Sequence, residues 1–156
     1  MEGKMRKFLY LFLVSLISFI CVSCDEGGPY ESVPYEVNDV YFNIRKLADD
    51  ETARNVYYSE AEFNKHFNIA VGTSADLEKA VDFSKNFVVT VTGASSKIRR
   101  TINVRDVLLK ESTLFVRYTV QDHGEISFST RPCMVASISR TYMDCDVAFQ
   151  DVTGME

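Results

Sequence analysis

The sequence predicts an α+β domain that is mainly β, an antiparallel meander or a small sandwich or barrel, with one or two short helices. Three observations predict it. From Asn86 onward apolar residues recur with period two, as they do on half-buried strands. Short runs of this kind are separated by turn signals at Gly93–Ser96 and Asp122–Gly124. Helical spacing is confined to short stretches early in the chain, and no internal repeat or second domain is evident.

The chain opens with a different kind of segment. Lys4, Arg6 and Lys7 precede an apolar block of fifteen residues, Phe8 to Val22, and then Ser23-Cys24-Asp25-Glu26. A basic start, an apolar run and a small residue at a cut site form a secretory signal. The run is shorter than the roughly 20 residues that span a bilayer as a helix. Cleavage after Ser23 makes Cys24 the first residue, whose thiol can carry diacylglycerol and whose amine can carry a further acyl chain. Residues 1–23 are therefore read as a bacterial lipoprotein signal peptide and Cys24 as the lipidation site, in preference to a plain cleaved signal. Cys21-Val22-Ser23 stands where a lipobox usually begins with Leu. The acidic pair Asp25-Glu26 resembles the surface-export signal of Bacteroidetes-type lipoproteins. The expected location is the outer membrane, on its periplasmic or its surface face.

Residues 24–36 hold glycines, prolines and acids without strand or helix period, which reads as a flexible tether. A single mainly-β domain over 37–156 is expected to follow. Its first strand lies within Val37–Leu47, with Val40, Phe42 and Ile44 on the core side. A short helix is expected over Glu60–Phe67, capped by Ser59 and stapled by Tyr58 and Phe63, with Phe63 and Phe67 facing the core. A second, over Ser74–Ala80, is capped by Ser74. The strands are then Phe87–Thr92, Ile98–Arg105, Leu114–Gln121, a run holding Ile126 and Phe128, Met134–Ile138 and Val147–Phe149. Leu114, Val116, Tyr118 and Val120 share one face.

Without residues 1–23 the chain keeps 133 residues, enough for one core, with fourteen basic against twenty-one acidic side chains, a net charge of −7. That balance argues against nucleic acid and against electrostatic attraction to anionic lipid, so the membrane contact is expected through the lipid on Cys24. Cys133 and Cys145 are left as an even pair in an oxidising compartment. They form either a disulfide or two separate buried thiols. The two histidines, His66 and His123, lack a second His or Cys at ligand spacing, so no metal or cofactor is expected. A Cys133–His123 nucleophile would need an electropositive setting that the sequence does not supply. Asp144 and Asp146 supply too few oxygens for calcium. Arg99, Arg100 and Arg105 read as a solvated strand edge, and the chain has no Trp for a glycan platform.

The strand series Asp82-Phe83-Ser84-Lys85-Asn86-Phe87-Val88-Val89, Ile102-Asn103-Val104, Leu114-Phe115-Val116-Arg117-Tyr118, Thr130-Arg131-Pro132 with Val135, and Val147-Ala148-Phe149 resembles the C-terminal domain of the PrcB family, protease-complex accessory lipoproteins. The resemblance spans roughly Asp82 to Phe149. It implies a non-catalytic partner for a secreted protease or similar assembly. Family members have a Gly-Gly-Tyr-like turn where this chain has Ser95-Ser96-Lys97-Ile98-Arg99-Arg100. The expected role is thus a lipid-anchored, non-enzymatic module that binds another envelope protein. The alternative is a surface lipoprotein that binds a glycan or other ligand through a row of tyrosines.

Overall fold

A computed structural model of the protein describes residues 28–70 and 80–155. The expected signal peptide, Cys24 and nearly all of the expected Ser74–Ala80 helix lie outside the described residues. Strands dominate: β1 (Glu31–Ser32), β2 (Tyr35–Val37), β3 (Tyr41–Asn43), β4 (Ala53–Tyr57), β5 (Phe67–Ile69), β6 (Asn86–Thr92), β7 (Ser96–Lys110), β8 (Thr113–Thr130), β9 (Cys133–Ser139) and β10 (Asp146–Asp151). Among the described residues one helix, α1 (Glu60–Phe63), and a 3-10 turn at Arg140–Tyr142 complete them. Among the described residues no helix is long and apolar enough to cross a membrane.

Two four-stranded sheets, ordered β1-β7-β8-β10 and β2-β9-β6-β4, form a sandwich. Between them lie Phe87, Val89 and Val91 of β6, Leu114, Val116 and Tyr118 of β8, and Met134, Ala136 and Ile138 of β9. The inward phase expected for β8 is the one observed. The opposite face of β6 and β9 is covered too, because Val88 and Val135 meet Tyr57, Phe63 and Phe67. That double cover buries six consecutive residues, Phe87–Thr92, where sequence alternation alone implies one wet face. β3 and β5 pair as a two-stranded ribbon over this second layer.

Several expectations need correction. The tether is shorter than 24–36: β1 and β2 already lie in the two sheets, and Val33 between them is 1% exposed, its N–H donating to the Val107 carbonyl at 2.8 Å. In β3 the core-facing phase is reversed. Val40, just before it, is buried as expected, but Phe42 and Ile44 are 44% and 45% exposed, while Tyr41 and Asn43 turn inward. The layer they meet contains the buried hydroxyls of Thr90 and Thr92, so side chains with polar ends fit it: Asn43 Nδ2 donates to Thr92 Oγ1 at 2.9 Å. The helix stops at Phe63, and Phe67 reaches the same core from β5 with its ring stacked on Phe63 at 4.9 Å. Ser59 accepts from the Glu62 N–H as expected, but Tyr57 rather than Tyr58 packs against Phe63. Lastly, the chain is not a simple meander: β10 runs parallel to β8, since β9 and the 3-10 turn intervene on the other sheet.

The turn expected at Asp122–Gly124 does not form either. β8 continues through it, with His123 and Gly124 together opposing Arg99, a β-bulge in which Gly124 takes φ 105°. The reversal lies at Glu111–Ser112, where Glu111 adopts φ 55° between the paired Lys110 and Thr113. A second bulge, at Arg105, explains why the buried residues of β7 switch from Ile102 to Val107 and break strict alternation.

Candidate functional site

The β6–β9 ladder ends at Thr92 opposite Cys133, continues through the Gly93 N–H to the Pro132 carbonyl at 2.9 Å, and resumes with Ser96 opposite Thr130. One long two-stranded ribbon thus bends from one sheet into the other. Such corners are made by strands that change sheet through bends and bulges. On the inside of the bend Gly93 is crowded: a Cβ there would lie 2.9 Å from Pro132 Cγ. On β8 extra length is required, and Ile126–Ser129 oppose Lys97 alone between the pairs Ile98–Glu125 and Ser96–Thr130.

This wide bulge carries Phe128, which is 64% exposed, a value that among the large apolar side chains of the described residues only Met155 shares. Exposing an aromatic ring in a bulge forgoes roughly 2 kcal/mol of burial. Arg131 steadies the bend. Its guanidinium donates to the carbonyls of Leu47, Ala48, Glu51 and Gly93 at 3.2, 2.8, 2.8 and 3.1 Å, and the Ser95 N–H reaches the Asp49 carbonyl at 2.7 Å. The loop at Leu47–Glu51 is thereby clipped to the corner.

Beside the corner a cleft of about 220 Å³ opens between the sheets, lined in part by Val37, Arg100, Ile102, Asn103, Pro132 and Met134. Its lining also includes the polar residues Asn38, Asp39, Tyr41 and Thr101. Arg100 is held by Asp122 at 2.8 Å. Cys133 also lines the cleft, but burial pushes its thiol up from the ordinary value and its sulfur faces the Tyr41 carbonyl at 3.9 Å. A protonated thiol is a poor nucleophile. His123 is committed elsewhere, its Nε2 lying 2.8 Å from Thr101 Oγ1.

Cys133 and Cys145 stand as free, half-buried thiols. β9 begins at Cys133, whereas Cys145 follows the far end of that strand. Cys133 packs against the Phe63 layer and Cys145 against the core between the sheets. Among the described residues no group of three or more His, Cys, Asp or Glu is placed to hold a metal ion.

His66 serves the fold. Its Nδ1 lies 2.8 Å from the Tyr57 hydroxyl, and burial, helped by the Arg45 and Lys65 charges, lowers its pKa below 6.5. A group with a depressed folded pKa stabilises the fold above its unfolded value and loses that contribution as pH falls through the folded one. Melting temperature is accordingly expected to drop more on acidification from pH 7.5 to 5 in the native protein than in His66→Gln; parallel losses would contradict this.

No row of tyrosines forms a platform among the described residues. Tyr30 stands on Phe115 of one sheet and Tyr58 against Phe87 of the other. Phe128 and Arg131 were not singled out by sequence reasoning as functional or clamping residues. Phe128 read as a strand residue in phase with Ile126, and nothing local distinguishes Arg131 from a solvated cation. Compared with protein-family models, curated proteins and solved structures, the chain matches none of them.

Proposed function

We propose that the protein is a non-catalytic accessory module of the cell envelope, anchored by lipid on Cys24, that docks another envelope protein through its sandwich corner. The observation that carries this reading is Phe128, held out to solvent by a bulge whose bend is clamped by Arg131. A large aromatic presented on a braced backbone loses little entropy on binding and is the kind of residue that dominates an interface. The resemblance to protease-complex accessory lipoproteins suggests a secreted protease assembly as the partner. The family departure, Ser95–Arg100, falls on the inner strand of this same corner, which suggests a partner surface of its own.

Two expected results follow from this reading. Co-purification from detergent-solubilised envelopes should recover a stoichiometric partner with the native chain. Phe128→Ser should lose at least tenfold of it while keeping the native melting temperature, since a 64% exposed ring contributes little to the core. Undiminished recovery with Phe128→Ser would remove the corner from the interface. Separately, Cys24→Ser should move the protein from the membrane to the soluble fraction. Retention in the membrane would mean that the apolar block, not lipid, holds it.

A further inference from the structure

The register of β1 decides where the lipid tether leaves the domain. Glu31 opposes Leu109 and Ser32 opposes Leu108 in an antiparallel pair, so the chain preceding β1 runs past Lys110 toward the β7–β8 hairpin turn. Tyr30 follows that course: its ring meets Phe115 edge-on at 5.8 Å and lies 5.1 Å from the Lys110 ammonium. Only six residue steps separate Tyr30 from Cys24, a reach of at most about 21 Å even when fully extended. The hairpin end is therefore confined near the bilayer.

The corner is at the other end of the same strand. From Lys110 back to Ile98 β7 covers twelve residue steps, roughly 35–40 Å at the rise of an extended chain, more than the tether spans. A domain longer than its tether turns its far end outward unless the membrane attracts that end. Attraction requires a basic or a broadly apolar surface. At the corner the cations Lys97, Arg99, Arg100 and the clamping Arg131 are met by Asp122 and Glu125 of the ribbon together with Asp49, Asp50 and Glu51 of the loop clipped beside it, so the surface there has no basic excess. Phe128 is a single ring in that setting.

We propose that the protein stands with its β7–β8 hairpin turn toward the lipid and its corner presented away from it, to the extramembrane part of a partner protein that offers an apolar recess for Phe128. The orientation rests on lipid being attached at Cys24. A partner reached this way is engaged well above the headgroups, and the bilayer itself is not the occupant of the corner.

The test uses the native full chain, extracted from envelopes and placed in lipid nanodiscs that carry gadolinium-chelate headgroups. Mass spectrometry of the amino-terminal peptide reports the acyl groups, and amide NMR signals report proximity to the headgroups. The expected result is an acylated Cys24, loss of the amide signals at Lys110–Thr113, and retention of those at Ile126–Ser129. Acylated protein with equal loss at both ends, or greater loss at the corner, would overturn the orientation and make the bilayer the occupant. A chain without acyl groups at Cys24 would overturn the anchor and the orientation together, which separates the two failures.

Discussion

Phe63→Ala is expected to cost about 3–5 kcal/mol of folding free energy, the range for deleting a fully buried aromatic ring. Phe63 is 0% exposed and is the centre of the layer that covers the second face of the β6–β9 sheet. Its ring stacks on Phe67 at 4.9 Å and meets Tyr41, Tyr57 and Phe83 at 4.9, 5.4 and 5.6 Å. Those neighbours come from β3, β4, β5 and the segment before β6, so truncation opens a cavity that no single element can close. The core between the two sheets lies on the other side of β6 and is not breached. Phe63→Leu keeps much of the volume and is expected to lose about half as much. Urea denaturation of both variants gives the comparison, and a loss below about 1 kcal/mol for Phe63→Ala would mean that the layer collapses onto the gap.

Why part of this architecture is readable in the residues and part is not becomes plain at particular positions. The alternation of Leu114, Val116 and Tyr118 against Phe115, Arg117 and Thr119 is unambiguous, because one face is apolar and the other carries an Arg that pairs with Asp106 across the sheet. In β3 the more apolar phase, with Phe42 and Ile44, is the one that faces out, and a one-residue choice inverts every side chain. Tyr41 wins because its ring enters the aromatic layer while its hydroxyl accepts the Val81 N–H at 3.0 Å, a distant partner that sequence does not reveal. Asp122-His123-Gly124 has turn composition, yet its Gly serves a bulge: local chemistry reports a positive φ but not whether the chain reverses there. Helical spacing likewise placed Phe63 and Phe67 in the same core correctly while misjudging the backbone that carries Phe67 there. The corner was out of reach because it is a property of two ladders in series. Its Phe128 is exposed by an excess of β8 over β7 that is visible only once the strands are paired.

Arg131→Ala is expected to destabilise the fold by about 2 kcal/mol and to unclip the Leu47–Glu51 loop from the corner. Hydrogen bonds made by a charged donor contribute roughly 1.5–3 kcal/mol where they are shielded, and those of Arg131 are only partly so, which keeps the estimate well below a sum over four carbonyls. The planar fork matters more than the charge. It reaches Leu47 and Ala48 through one nitrogen and Glu51 and Gly93 through another, whereas a lysine ammonium is a single point that cannot bridge the two pairs. Arg131→Lys should therefore recover less than half of the lost stability. The sharper readout is the Ser95 amide, which is bonded to the Asp49 carbonyl and so reports whether the loop stays docked. Its hydrogen exchange should accelerate at least tenfold in Arg131→Ala relative to amides in the middle of β6, which sit in the sheet core. Unchanged protection at Ser95 would show that the loop holds itself and that the guanidinium is incidental. If exchange accelerates and partner recovery falls with it while Phe128 is intact, then a docked loop, and not the exposed ring alone, shapes the binding surface, because the clamp touches the bend and the loop but not the aromatic side chain.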